Sequence, residues 1–309
     1  MSEANLLVTS KTMINNPDYL VHKYDTTEID ETKVKSFDSH DEFSDLAVEL
    51  FKEISVLIVT IASLERKQNG NIIPLNKEEA VLMGNLIRYS KISSAYLEQY
   101  VKKRQETCMI LFRSLMETYI NLKYFLKFKD QYTLSHYIKH SLKQEKMFLD
   151  HLKKYGGLDP ELKHIEDRIS ASILRSMTDS GFTEDEIKNS SKWEDKVRKR
   201  LNEIISPAFY ILYGNSSHSV HGNWQDLLFF HLSKNGDGFI QKPEWTTPTI
   251  QLIAPVTLIS CDLLKNFAEE VVPDSDQKKD LLELIKDIFL RTRKLEILHE
   301  KFIQKNWTK

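Results

Sequence analysis

Arg113, Glu117 and Asn121 recur at every fourth position of an otherwise apolar stretch, 105–128. On a helix that spacing stacks a guanidinium, a carboxylate and an amide along one face. Far downstream, in AFYILYGNSSHSVHGNW, Tyr213, Ser217 and His221 repeat the same spacing with a phenol, a hydroxyl and an imidazole. A charged ridge in an apolar helix must be paired, because an isolated buried charge costs more than folding tolerates. The two ridges are therefore expected to face each other. Their chemistry suits anion binding or acid/base work, with histidine titrating in the useful range. The same groups could equally form a buried network that fixes helix register.

Other patterns carry less. His218 and His221 have a spacing that can place two imidazoles on one metal with Glu117 as a third ligand, but the paired Glu-x-x-His of a di-iron bundle is absent. No metal and no cofactor are expected. His136 and His140 have the spacing of a zinc-protease helix, yet Tyr137 stands where that motif needs glutamate. KVRKR at 196–200 is surrounded by acids and reads as a mixed surface. There is no P-loop, no dinucleotide fingerprint and no nucleophile elbow, and NGDG at 235–238 lacks the remaining ligands of a calcium loop. Cys108 and Cys261 lie in apolar helical stretches and read as core thiols.

The elements that must position these residues are helices. Nine glycines and eight prolines in 309 residues, with 41% hydrophobic and 28% charged residues, favour one all-α, bundle-like domain. Residues 1–39 are polar and aperiodic and read as a loose, partly disordered N-terminal arm, leaving 40–309 as the helical domain. Helical periodicity runs over 41–67, 77–103, 105–128 and 131–154, with a turn near Lys102–Gln105 and a stop at Tyr155-Gly156-Gly157. Asn76 followed by Glu78 and Glu79 is a start signal. Shorter pieces follow at 160–178 and 183–189. Pro207 opens the next helix, which is released near Gly222. Residues 234–248, with two prolines and two glycines, read as a loop or irregular hairpin, and helices resume at 249–271 and 275–304.

A formal net charge of −2 gives no global signal for a polyanion. The strongest apolar run, 54–64, falls short of the roughly 18–20 residues that span a bilayer, and the N-terminal stretch lacks a secretory pattern. A cytoplasmic protein without membrane attachment is expected.

The run R-S-L-M-E at 113–117 with Asn121 and Tyr124, followed by Y-G-N-S-S-H-S-V-H-G at 213–222, resembles an uncharacterised bacterial helical family with an R-S-L-x-E helix and a later Tyr–Ser–His segment. The resemblance covers about 76–270. That family is similar to the HEPN superfamily, which includes antiphage and toxin ribonucleases and also inactive nucleotide-binding or partner-binding members. The resemblance implies a HEPN-like core, RNA or a nucleotide as ligand, a homodimer or a partner protein, and a role in defence, stress response or a toxin–antitoxin pair. HEPN ribonucleases place an arginine roughly four to six residues from a histidine so that both act on the RNA phosphate. No arginine stands at those positions upstream of His218 or His221; Arg293 and His299 do match, as about one pair is expected to by chance. The ribonuclease motif is therefore not carried over. The functional readings are phosphate binding, a metal-independent ribonuclease, or a non-enzymatic binding or scaffold protein. On the cleaving, HEPN-like reading His221 would be the acid/base, Arg113 would stabilise developing phosphate charge and Glu117 would orient Arg113, while Tyr213 or Ser217 would hold the phosphate, with Asn121 and His218 as further ligand contacts.

Overall fold

The computed structural model describes residues 26–64, 67–68, 71–128, 130–156, 161–190 and 207–307. In chain order the main elements are α1 (Glu31–Lys35), α2 (His40–Ala62), β1 (Lys67–Gln68), β2 (Asn71–Ile72), α3 (Lys77–Val101), α4 (Gln105–Lys127) and α5 (Gln131–Tyr155). They continue with α6 (Lys163–Ser180), α7 (Glu184–Lys188), α8 (Pro207–His221), α9 (Trp224–Asp226), a turn of π-helix (Leu227–His231), β3 (Leu232–Asn235), β4 (Gly238–Gln241), α10 (Ile250–Val271) and α11 (Asp276–Trp307). The protein is all-α, with two short antiparallel hairpins among the described residues.

Local signals set the helix ends. Ser39 and Glu42 form a reciprocal capping box at the start of α2, and Asn76 and Glu79 do the same for α3, each satisfying backbone donors that the first turn leaves free. The turn at 102–105 closes α3 without glycine. Lys103 takes a left-handed backbone at φ 57, its N–H donates to Tyr100 O and that of Arg104 donates to Gln99 O, which is a Schellman ending. Gly222, at φ 54, ends α8 in the conformation that favours glycine.

The core lies between α2, α3, α4, α10 and α11. Phe43, Leu50, Phe51, Ile54, Leu86, Leu115, Met116, Phe125, Ile253, Leu263 and Phe267 are fully buried in it, each large side chain contributing about 1.5–3 kcal/mol by leaving water. α10 is long and apolar enough by composition to cross a membrane, but it is the middle of this core, packed on α2, α4 and α11. Polar atoms on it are met from α3 and α4: Tyr89 Oη pairs with Ser260 Oγ at 2.8 Å, Tyr96 Oη donates to Leu252 O, and Tyr119 Oη and Lys123 Nζ donate to Asp262 Oδ2. α11 buries Leu281, Ile285, Ile288, Thr292, Leu295 and His299 against α10 and α2. A smaller cluster of Leu142, Leu149, Ile173, Met177 and Ile187 joins α5, α6 and α7. Both thiols are buried, as expected; burial pushes Cys108 up to about 12 and raises Cys261 as well.

The expected loose arm is corrected over residues 26–39. That segment forms α1 and lies on the core, with Ile29 and Val34 buried. Arg291 grips both oxygens of Glu53 at 2.8 and 2.6 Å and donates to Thr27 O, while Thr27 N donates to Glu53 Oε1. Lys294 Nζ donates to Ile29 O. A bidentate, mostly buried pair is a strong anchor for an extended strand of chain. Its partners lie far away in sequence, which is why local polarity reads as a loose arm. Residues 1–25 and the KVRKR run lie outside the described residues. The expected loop or irregular hairpin at 234–248 is a regular hairpin in its first half, continued back to Leu232, and irregular after Gln241: β3 and β4 pair from Leu232 with Gln241 to Asn235 with Gly238, and Gly236 supplies the positive φ that a two-residue II′ connection needs at its first position.

Candidate functional site: the face of α4 against α8

α8 lies directly against α4, and because Tyr213 meets Glu117 while Ser217 meets Arg113 the two helices run antiparallel. Arg113 is where the two helices are joined. Its Nε donates to Glu117 Oε1 at 2.8 Å, and its Nη1 donates to Tyr213 O at 3.2 Å and to Ser217 Oγ. The guanidinium sits over the Tyr213 ring, 3.5 Å from its centroid, and Tyr213 Oη donates to Glu117 Oε1 at 3.3 Å. Arg113 thus has an anion below it, a ring beside it, and two acceptors on α8. Its side chain is 18% exposed and that of Glu117 42%, so the pair opens to solvent at the carboxylate end. Ser216 and Ser217 both donate to Tyr213 O, drawing the backbone carbonyl into the same network.

The two ridges therefore face each other as their spacing predicts, and Arg113, Glu117, Tyr213 and Ser217 meet. The remaining candidates do not join them. Asn121 is half-buried one turn further along α4 with no hydrogen bond to this group among the described residues. His218 is turned to the helix end, where Asn223 Nδ2 donates to its Nδ1 while Asn223 Oδ1 caps α9 through Asp226 N. His221 is exposed, one turn past Ser217. Asn223 is thus the partner that the imidazole at 218 finds, and a cap residue three positions before an acid is the sequence signal for it.

Arg293 and His299 both line a cleft of roughly 300 Å³ with Gln251 and Glu300. Arg293 is committed to Glu296 at 2.6 Å, and His299 is buried against His40 and Gln251, so they do not converge on a common point as phosphate chemistry would require.

A second polar station lies on the same face of α4. Glu106, seven residues before Arg113 and about 10 Å along the axis at 1.5 Å per residue, meets Asp226 and His231. His231 Nε2 is 3.1 Å from Glu106 Oε1 and 3.8 Å from Asp226 Oδ2. Sequence spacing does not reveal this trio. Five positions apart, Asp226 and His231 would point in divergent directions on an α-helix, and only the π-turn, with its i→i+5 bonding, brings the histidine back beneath the aspartate.

A family model describing a family of unknown function, DUF5677, matches residues 79–239. The chain belongs to the DUF5677 family. The match spans α3 to the first part of β4, and with it Arg113, Glu117, Tyr213, Ser217, Glu106, Asp226 and His231, so both polar stations fall inside the DUF5677 region. α2, α10 and α11 complete its core from outside that region. No curated protein and no solved structure matches the chain.

Proposed function

We propose that the protein is a non-enzymatic helical binding or scaffold protein in which the Arg113 network fixes α8 on α4. One observation carries this reading: the guanidinium is engaged by Glu117, Tyr213 O, Ser217 Oγ and the Tyr213 ring at once. A group so held is arranged to join two helices. What the network steadies is the segment that follows α8, which carries exposed Trp224, Phe229, Phe239 and Trp245, Trp224 and Phe239 in ring contact, and exposed aromatics of this kind are what partner-protein contacts are built from.

A second reading, binding of a nucleotide or RNA phosphate, is favoured by a different observation. Nη2 of Arg113 makes no hydrogen bond among the described residues, and the Glu117 carboxylate beside it is 42% exposed. The HEPN relationship, the ribonuclease activity and a role in defence belong to this second reading, as do a cytoplasmic setting and a homodimer.

The test is incubation of the purified protein with mixed RNA, beside His221→Ala and Arg113→Ala, followed by filter binding at low and high salt. The scaffold reading expects no cleavage and no salt-dependent retention. RNA cleavage or retention that both substitutions abolish would overturn it in favour of phosphate chemistry.

A further inference from the structure

We propose that Glu106, Asp226 and His231 form a binding site for a divalent first-row transition-metal ion, with Zn²⁺ the best fit. The three offer one ligand atom each, all within 4.8 Å of one another. A tetrahedral ion at about 2.0–2.1 Å from each ligand separates neighbouring ligand atoms by about 3.3 Å, and the contacts of His231 Nε2 at 3.1 and 3.8 Å bracket that value.

The independent observation is Asp226. Its side chain is 3% exposed, its Oδ2 is turned towards His231, and its Oδ1 has no hydrogen-bond partner among the described residues. Burying a carboxylate oxygen unmet is costly. The imidazole of His231 does not remedy this: at 3.8 Å from Oδ2 it is too far for a hydrogen bond, and Oδ1 has none. An ion drawn among the three carries charge enough to compensate the buried carboxylate.

Construction of the trio fits the same purpose. Asn223 caps α9 and fixes where Asp226 begins, and the π-turn at 227–231 re-aims His231. Single π-turns are rare and concentrate at functional sites. One imidazole nitrogen with two carboxylate oxygens selects Zn²⁺ and its first-row neighbours over Ca²⁺ and Mg²⁺, which prefer all-oxygen sets. Three protein ligands leave a coordination position open to water, on the side where His231 is exposed. The ion would tie the first turn of α4 to the base of the β3–β4 hairpin. None of this depends on what the Arg113 network does.

The full-length protein, stripped with EDTA and dialysed into metal-free buffer, is titrated with ZnCl₂ by calorimetry, with MgCl₂ and CaCl₂ run in parallel. One saturable Zn²⁺ per chain is expected, with Mg²⁺ and Ca²⁺ binding far more weakly. His231→Ala and Glu106→Gln, both at solvent-reached positions, should each weaken Zn²⁺ by about tenfold or more with an unchanged circular dichroism spectrum. His218→Ala and His221→Ala should bind as the unmodified protein does. Absence of saturable binding, or undiminished affinity in His231→Ala, would overturn the proposal.

Discussion

The guanidinium of Arg113 lies 3.5 Å from the centre of the Tyr213 ring while its Nε holds Glu117, so one side chain of α4 is fixed by a ring from α8 and an acid from its own helix. This arrangement makes Arg113 the most connected polar residue of the candidate site, and its removal the most direct probe of it.

Arg113→Ala should lower stability by about 2–3 kcal/mol: about 1 for each neutral hydrogen bond lost and about 1 for the cation–π contact. Because Glu117 is 42% exposed, the ion pair itself is screened and adds little, which keeps the loss below that of a fully buried pair. Urea denaturation measures it. A wild-type midpoint with an unchanged slope would show that the contact does not join the helices energetically.

His299 gives a pH dependence. Burial first, and then the imidazole of His40 beside it, lower its pKa to about 4 from an ordinary 6.5. Gln251 Nε2 can only donate to Nδ1 of His299, so the proton sits on Nε2 and points at His40 Nδ1; a second proton would break the Gln251 bond. The unfolded chain binds that proton near pH 6.5 and the folded chain near 4, so the stabilisation is complete above about 6.5 and is lost as pH falls towards 4. Between pH 7 and pH 4 the unmodified protein should lose roughly 1–3 kcal/mol more than His299→Leu does. Parallel losses in the two proteins would refute it.

Lys103→Gly should raise stability by about 0.5–1 kcal/mol. It relieves a side chain held in the left-handed region, a strain of roughly 1–2 kcal/mol, at the expense of the exposed Lys103–Asp41 pair and some unfolded-state entropy. Thermal denaturation of the two proteins side by side decides it; a lower melting temperature for the glycine variant would count against the strain.

Much of this fold is legible in the sequence because its helices are long, strongly periodic and capped by ordinary residues. Asn76 and Glu79 announce α3, and Pro207 and Gly222 bound α8 as their chemistry demands. The four-residue spacing that places Arg113 with Glu117 and Tyr213 with Ser217 also predicts that the two pairs meet, since neither ridge could be buried alone. What escapes the sequence depends on contacts remote along the chain or on a change of helical period. Thr27 is held by Glu53 and Arg291, so a polar, aperiodic segment packs as firmly as a helix. His231 reaches Asp226 only through a turn wider than the α-helix, and no periodicity over five residues announces that. His218 is taken by Asn223 because α8 ends one turn later, a local event that spacing within the helix does not contain.

α11 carries a consequence of its own. Apart from Leu298, its buried positions fall into two interleaved seven-residue series, Leu281, Ile288 and Leu295, and Ile285, Thr292 and His299. A straight α-helix would rotate such a stripe away from its neighbours by about 20° every seven residues. Over the two heptads of α11 that drift stays within the width of an apolar face, so one stripe serves α2 and α10 together, as the seam of a coiled coil does, with partners that belong to its own chain.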